Sequence, residues 1–382
     1  MRFTSLLCCA GVIVALTGCS SLNPFAKKPN PKTQPAPLVE LKSDARVRTV
    51  WSASIGKADK YVFTPALVDG NVYVASENGR ISKLDLATGR SLWRIDTDTG
   101  LTAGVGSDGR TVVVVGEKGV ILAYDSEGKQ RWKAQATSEV LSAPAIGLGV
   151  VLIRSMDNRV TAYDADTGDR KWTVQRTAPP LSLRTAPGIT ISDGTAYVGF
   201  AGGRMLALML TNGAPRWEVA VGDPRGVTEL ERIADISGTP VVSGRDVCAV
   251  AYQGRVACFD TASGSARWAA GLSSDGGVAV DERNVYVADE KGGVNAFSRM
   301  GGTSVWRNAQ MTNRRLSTPV SFNDAVATGD FEGYIHFLSK EDGVLIGRIK
   351  TGGGAIIARP QMADGFAIFQ TQSGSVVAVA AE

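Results

Sequence analysis

The sequence is nearly devoid of histidine: among its 382 residues only His336 is present. A single histidine excludes a multi-histidine metal centre and leaves little room for a Ser-His-Asp triad or a Cys-His pair. His336 lies in an alternating run at residues 334–337, so we expect a strand or rim histidine rather than a catalytic base. Dense Asp/Asn calcium loops and Gly-rich phosphate loops are also missing from the sequence. We therefore predict no catalytic residues, no metal site and no cofactor.

The sequence also lacks a strong excess of positive or negative charge. The 41 Lys and Arg residues nearly balance the 37 Asp and Glu residues, and the net charge of +4 is spread along the chain without a basic patch. This distribution argues against a nucleic-acid partner. Cysteine is scarce, and two of the five, Cys248 and Cys258, lie on the arms of one predicted hairpin. A disulfide in an oxidising compartment and two small buried thiols are both compatible with their spacing.

The apolar stretch near the N-terminus, residues 6–16, is too short to span a bilayer as a helix. It ends in Leu-Thr-Gly-Cys19, which resembles a bacterial lipobox. The resemblance implies a signal peptide over residues 1–18, cleavage before Cys19 and acyl chains on Cys19; an ordinary secretory signal is the alternative. Ser20 after the cysteine resembles the sorting pattern for the outer membrane. The Pro-rich residues 19–45 contain little that could pack and predict an extended tether.

Glycine, by contrast, is abundant, and several glycines occupy a fixed position in a sequence repeat. Gly followed four residues later by Trp occurs at Trp93, Trp132, Trp172, Trp217, Trp268 and Trp306. A degenerate copy has Gly347 at the Trp position, and the seventh tryptophan, Trp51, lies upstream. Steps of 38 to 51 residues, each covering four short strands, are typical of a β-propeller. Eight Trp positions and eight unit openings predict an all-β fold of eight four-stranded antiparallel blades over residues 46–382. The strand around Trp51 is expected to join the last blade and close the ring.

Two residue types recur at fixed repeat positions, and we interpret both as structural. The tryptophans are expected to pack between blades, with each indole N–H bonded to a carbonyl of the neighbouring blade. Carboxylates follow the third strand of several units, where they can accept backbone N–H groups and hold the turn. These carboxylates are Asp85, Asp125, Asp164 and Asp260.

The repeat is similar to the tryptophan-docking repeats of the pyrroloquinoline-quinone dehydrogenases, which are also eight-bladed propellers. The similarity rests on Asp-Gly-x-Val-Tyr-Val, a following Gly-x-(Ile/Val), and Asp-x-x-Thr-Gly-x-x-x-Trp. Those enzymes carry long insertions, a calcium site and usually a vicinal disulfide over the cofactor, none of which is recognisable in this sequence. A periplasmic quinoprotein dehydrogenase and a saccharide-binding propeller are the alternatives to the interpretation that follows.

The period breaks at two places, residues 176–184 and residues 222–237. Function on a repeat scaffold usually lies where the period breaks. Both segments connect the outer strand of one blade to the inner strand of the next, so they should emerge close together on one side of the ring. Leu181, Leu183 and Arg184 in the first segment could anchor a protein interface or fold back on their own core, and spacing leaves both open.

Together, the lipobox, the tether, the eight repeats and the two insertions resemble the BamB family, lipoprotein propellers of the bacterial β-barrel assembly machinery. The resemblance implies a non-enzymatic scaffold, monomeric within the complex and anchored through Cys19 at the periplasmic face of the outer membrane. It implies that Leu181, Leu183, Arg184 and Asp235 bind the periplasmic domains of BamA; Ser237 stands where the family can show a second acid. A further hypothesis, from the many short strands, is that strand edges pair with unfolded outer-membrane protein precursors.

Overall fold

The structure is a computed structural model that describes residues 33–41 and 47–381. The predicted signal peptide, Cys19 and much of the predicted tether lie outside the described residues. The chain divides into two compact units, Met1–Gln34 and Pro35–Glu382. Only Thr33 and Gln34 of the first unit are described.

The second unit contains eight four-stranded antiparallel sheets, and we number them as blades in chain order. Blade one comprises β2 (Ala66–Val68), β3 (Asn71–Ala75), β4 (Arg80–Asp85) and β5 (Ser91–Asp96), and blade two comprises β6 (Gly106–Ser107), β7 (Thr111–Val115), β8 (Val120–Asp125) and β9 (Gln130–Gln135). Blade three comprises β10 (Ala145–Gly147), β11 (Val150–Ser155), β12 (Arg159–Asp164) and β13 (Arg170–Gln175), and blade four comprises β14 (Ile189–Ser192), β15 (Thr195–Gly199), β16 (Arg204–Met209) and β17 (Pro215–Ala220). A 3₁₀ turn, Glu117–Gly119, precedes β8.

Blades five to seven repeat the same order, and blade eight takes its outer strand from the start of the domain. Blade five comprises β18 (Val241–Ser243), β19 (Asp246–Val250), β20 (Arg255–Asp260) and β21 (Ala266–Gly271), and blade six comprises β22 (Val278–Val280), β23 (Asn284–Ala288), β24 (Val294–Ser298) and β25 (Ser304–Asn308). Blade seven comprises β26 (Val320–Phe322), β27 (Ala325–Gly329), β28 (Tyr334–Ser339) and β29 (Leu345–Lys350). Blade eight comprises β30 (Gln361–Ala363), β31 (Phe366–Gln370), β32 (Ser375–Ala381) and, as its outer strand, β1 (Val47–Ser54).

The blades form a closed ring. The first strand of each blade contacts the first strands of both neighbouring blades, and β2 of blade one contacts β30 of blade eight. The outer strand β1 pairs with β32, from Val47 opposite Ala381 to Ser54 opposite Ser375. The predicted eight-bladed propeller, closed by the strand that carries Trp51, is confirmed.

The hydrophobic pattern of each strand follows its depth in the blade. A middle strand packs against the blades on both sides, so both of its faces are buried, as in the continuously buried and mostly apolar strand Thr111–Val115. An outer strand is half-exposed and alternates, as Arg170–Gln175 does. The core is therefore a series of inter-blade layers around the ring.

Because the strands of a blade alternate in direction, the ring has two distinct faces. One face carries the inter-blade loops and the hairpins between second and third strands; we call it the loop face. The other carries the first-to-second and third-to-fourth hairpins; we call it the turn face. Insertions between blades therefore project from the loop face.

Each tryptophan of the repeat joins its blade to the following blade. All seven indole N–H groups donate to a backbone carbonyl there, as Trp132 does to Ala165 at 2.9 Å. The turn glycine of the following blade faces the ring: a Cβ on Gly168 would meet Trp132 at 2.7 Å, and Gly168 has a φ of +78°. Only glycine satisfies both the close approach and the left-handed backbone. The predicted role of the tryptophans between blades is confirmed.

The degenerate repeat has a physical explanation. Gly347 occupies the Trp position of blade seven, and a Cβ built there would overlap the side chain of Val47. Val47 begins β1, which reaches blade seven because blade eight is assembled from both ends of the domain. At this closing interface the outer strand itself fills the space that an indole fills elsewhere.

The periodic carboxylates hold turns, as the sequence predicts. Asp164 Oδ1 accepts the N–H groups of Asp166 and Thr167 at 2.9 and 3.2 Å. The hydrogen bond from the Lys171 ammonium, followed by these two backbone bonds, lowers the pKa of Asp164. In blade five, Cys248 and Cys258 lie opposite each other on β19 and β20 and form a disulfide, which resolves the two possibilities that spacing leaves open.

Candidate partner-binding surface

Three consecutive inter-blade loops lie together on the loop face. Residues 136–144 connect blade two to blade three, residues 176–188 connect blade three to blade four, and residues 221–240 connect blade four to blade five. Each loop is joined to the next by a polar contact, Arg184 to Glu139 and Leu183 to Asp235. The two irregular insertions are therefore neighbours, as predicted. We call the exposed side of these loops the three-loop surface.

Asp235 joins the two longer loops from beneath this surface. Its Oδ2 accepts a hydrogen bond from the Leu183 N–H at 2.6 Å, and its Oδ1 accepts one from the Gly202 N–H at 2.8 Å. The residue is only 2% exposed. Because both carboxylate oxygens are occupied, Asp235 has almost no surface to offer a partner. It contributes to the three-loop surface by holding Leu183 in position. Ser237 is buried as well.

A buried carboxylate requires a compensating charge, and Arg154 at the end of β11 provides one. Arg154 is buried, and its guanidinium lies 5.9 Å from the centre of the Phe200 ring. Burial lowers the pKa of Arg154 to about 10, while the charge of Asp235 opposes this shift. The guanidinium therefore remains protonated at neutral pH and forms an electrostatic support under the two loops.

The loop of residues 176–188 presents apolar and cationic groups to solvent. Leu181 is 43% exposed, Leu183 is partly buried, and the Arg184 side chain is exposed. Arg184 donates to Glu139 Oε1 at 2.7 Å, and this contact raises the pKa of the guanidinium. The exposed leucine shows that the loop is not wholly folded back onto its own core.

The loop of residues 221–240 has its own internal order. Glu231 Oε2 accepts the N–H groups of Val227 and Thr228 at 2.8 and 3.0 Å, and the Glu231 N–H donates to Thr228 Oγ1 at 3.3 Å. This reciprocal arrangement resembles a capping box and lowers the pKa of Glu231. The Gln253 amide, oriented so that donors face acceptors, donates to the carbonyls of Glu231 and Ile233. The turn formed by residues 227–231 is thus fixed to blade five. Its apolar side chains Val227 and Leu230 are strongly exposed.

Some members of this surface were not singled out from the sequence. Glu139 lies in a loop of ordinary length, and only its charge opposite Arg184 could have suggested a role. Val227 and Leu230 could have been noticed as apolar residues in a polar insertion. Arg154 carried no sequence signal, because its role depends on Asp235, which is close in space but distant in the sequence.

Other kinds of site find no support in the described part of the chain. Residues 33–41 and 47–381 contain no group of three or more His, Cys, Asp or Glu side chains placed to hold a metal ion. The same residues include no helix long and apolar enough to cross a membrane.

Comparisons with known proteins agree with the fold. A family model described as outer membrane protein assembly factor BamB matches residues 43–99 and 77–308. The outer membrane protein assembly factor BamB of Bordetella pertussis is 41% identical over 370 residues, which cover 97% of this chain and 95% of that protein. The crystal structure of BamB from Moraxella catarrhalis superposes with a TM-score of 0.81 at 27% identity, covering 87% of this chain and 99% of the other.

A quinohemoprotein alcohol dehydrogenase from Pseudomonas putida is also similar, with a TM-score of 0.70, 14% identity and coverage of 88% of this chain and 76% of the enzyme. A similarity at this level of identity reflects the shared propeller alone. The match to the assembly factors, by contrast, extends over nearly the full length of both chains at high identity. This chain belongs to the BamB family of outer membrane protein assembly factors.

Proposed function

We propose that this chain is a non-enzymatic scaffold of the outer-membrane β-barrel assembly machinery and that it binds BamA through the three-loop surface. The names of its relatives support a part in outer membrane protein assembly and a location at the outer membrane. In this proposal the propeller binds the periplasmic domains of BamA and thereby assists the insertion of outer-membrane proteins.

The observation that carries the proposal is the bonding of three loops into one surface. The buried Leu183–Asp235 contact fixes the two longer loops relative to each other before any partner arrives, and the exposed Arg184–Glu139 pair adds a weaker link to the third loop. A preorganised surface loses less conformational entropy on binding than mobile loops would. Arginine is a residue type enriched at protein interfaces, and the exposed leucines add apolar surface beside it.

Arg184 is well suited to exchange partners. Its ion pair with Glu139 is exposed, and such pairs contribute about 0–1 kcal/mol. A carboxylate on BamA can therefore replace or share this contact at little cost, while Leu181 inserts into an apolar site on the partner. We assign the direct contacts to Leu181, Leu183 and Arg184, and we assign Asp235 a positioning role.

The anchor belongs to the same proposal. Acyl chains on Cys19 would hold the protein at the periplasmic face of the outer membrane, since two or more chains make a stable attachment. The chain would then meet BamA on that side. Contact of unfolded precursors with strand edges remains a separate hypothesis, to be tested by crosslinking precursor peptides to the purified propeller.

The test is co-purification from detergent-solubilised membranes. The variant Leu181→Ala/Arg184→Ala is compared with wild type and with the control Leu92→Ala/Arg110→Ala. Leu92 is 44% exposed on β5 of blade one, which matches Leu181 in exposure, and Arg110 is an exposed arginine on the turn face.

We expect wild type and the control to retain BamA, and the Leu181→Ala/Arg184→Ala variant to lose it while still folded by circular dichroism. Retention by the variant would reject this surface. Absence of BamA with wild type would reject the partner and return attention to cofactor and saccharide binding.

A further inference from the structure

Part of the predicted tether is bound to the propeller. Residues 35–41, which we call the strap, lie against blades six and seven. The Ala36 N–H donates to the carbonyl oxygen of Thr312 at 2.8 Å. Leu41 packs against an apolar cluster that includes Trp306 and Leu345. The Pro-rich composition predicts an extended tether with little that could pack, and for residues 35–41 this prediction is wrong, because backbone carbonyls and the Leu41 side chain supply the contacts.

Two arginines hold the strap by its backbone. Arg314, which is almost fully buried, donates from Nη1 to the Ala36 carbonyl at 3.0 Å. Arg348 on β29 donates from Nη1 to the Val39 carbonyl at 3.0 Å. Charged donors make stronger hydrogen bonds than neutral ones, and backbone carbonyls supply the acceptors whatever the side chains are. The strap therefore binds without any sequence motif.

Both arginines are fixed by a buried network around His336. Arg314 Nε donates to Asp330 Oδ2 at 2.7 Å, and His336 Nε2 lies 2.8 Å from the same oxygen. Arg348 Nε donates to His336 Nδ1 at 3.2 Å, so Nδ1 is the acceptor and Nε2 carries the proton of a neutral ring. The Tyr334 ring lies beside the imidazole. Burial lowers the pKa of His336 below its ordinary value of 6.5, against the pull of Asp330.

The strap begins on the loop face, whereas the strand β1 begins on the turn face. The start of the strap is bound to Thr312, which lies in the inter-blade loop between β25 and β26 on the loop face. The strand that follows it, β1, begins at Val47 opposite Ala381. The Ala381 carbonyl accepts a hydrogen bond from Asn323 in the first-to-second hairpin of blade seven, which places this end on the turn face. Without the strap, the chain would leave the domain from the turn face.

We propose that the strap moves the point at which the N-terminal segment leaves the propeller, from the turn face to the loop face. The loop face also carries the three-loop surface. The point at which the chain leaves the propeller and the surface that meets the partner thus lie on the same face of the ring. This last consequence rests on the proposed function; the position of the strap does not.

The strap also shortens the reach of the tether. Residues 20–34, about 15 residues, extend at most about 50 Å, whereas residues 20–46, about 27 residues, would extend at most about 95 Å. The strap therefore limits the distance as well as the orientation of the domain relative to an anchor at Cys19.

The test places a benzophenone amino acid at Pro35, which is exposed, in the purified mature chain. Crosslinked peptides are mapped by mass spectrometry in wild type, Arg348→Gln and Arg307→Gln backgrounds. Arg307 follows Trp306 in blade six as Arg348 follows Gly347 in blade seven, but its ion pair is to Asp289 and not to the strap. It is therefore the matched control. Hydrogen exchange of residues 35–41 is measured on the same proteins.

We expect crosslinks to residues 309–315 and 330–333 on the loop face, and about tenfold faster exchange of the strap in Arg348→Gln but not in Arg307→Gln. Crosslinks to the turn-face hairpins at 323–324 or 340–343, or equal exchange in all three proteins, would overturn the proposal. No BamA is present in this experiment, so its result is independent of the co-purification.

Discussion

Replacing Asp235 provides a sharp test of how the three-loop surface is built. Its carboxylate holds two backbone N–H groups, and each hydrogen bond to a charged group contributes about 1.5–3 kcal/mol. Of these two bonds, the one to Leu183 links the loop of residues 176–188 to the loop of residues 221–240, which the Gly188 N–H and Thr239 Oγ1 also join near the loop ends at 3.0 Å. In Asp235→Ala the Leu183 amide should therefore exchange about 10- to 150-fold faster, since about 1.4 kcal/mol corresponds to a factor of ten.

In Asp235→Asn, exchange of the Leu183 amide should be accelerated almost as much as in Asp235→Ala. The carboxamide oxygen can accept only one of the two N–H groups that the carboxylate accepts, and its NH₂ would face the other. The substitution also leaves the buried Arg154 without an opposing charge. The control is Asp223→Asn in the same loop, whose side chain is exposed and forms only long ion pairs to arginine.

The assay is amide hydrogen exchange at residues 176–188, with thermal unfolding to confirm that each variant is folded. Because Asp235 is buried, loss of BamA in its variants should accompany faster exchange at Leu183. If Asp235→Ala exchanged at Leu183 like wild type, the positioning role assigned to this carboxylate would be wrong. If Asp235→Asn lost BamA with its loops unchanged, a direct contact would have to be considered instead.

Three further predictions concern stability. Gly168→Ala should lower the free energy of unfolding by well over the roughly 1 kcal/mol expected for Gly194→Ala, because both glycines have a left-handed φ but only Gly168 faces an indole ring. Chemical denaturation of the two variants measures the difference. Equal losses of stability would contradict the packing role of Gly168. Cys248→Ala/Cys258→Ala should cost about 2–3 kcal/mol for a bond that spans 10 residues, and a variant as stable as wild type would contradict that estimate. Because the pKa of His336 is lowered by burial, the unfolded chain binds a proton near pH 6.5 that the folded chain binds only at lower pH. The free energy of unfolding should therefore fall as the pH decreases from 6.5 through the folded pKa, and His336→Gln should lose that part of the pH dependence; an identical pH profile in the variant would refute it.

The fold could be predicted because a tryptophan at the same repeat position marks seven of the eight blades. A tryptophan that must meet a carbonyl and a glycine of the next blade constrains the chain at each repeat, so the period is readable from the sequence. The one exception, Gly347, has a physical reason, since the side chain of Val47 occupies the space beside it where the ring closes. The turn carboxylates such as Asp164 were predictable for the same reason, because their bonds are local.

The site was only partly predictable. The irregular loops, with Leu181 and Arg184, stand out from the repeat. The burial of Asp235 could not be predicted from the sequence, because an acid in a long loop gives no sign of whether its oxygens face solvent or backbone N–H groups. Contacts of the strap were invisible to sequence analysis for a different reason: Arg314 and Arg348 bind main-chain carbonyls, which every residue has.

The central claim, that the three-loop surface binds BamA, is tested most directly by titrating the purified mature chain against the periplasmic domains of BamA. Wild type and Leu92→Ala/Arg110→Ala should bind with equal affinity, and Leu181→Ala/Arg184→Ala should bind at least about tenfold more weakly, as expected for loss of central interface side chains. Equal binding by all three proteins, or no binding by wild type, would contradict the account.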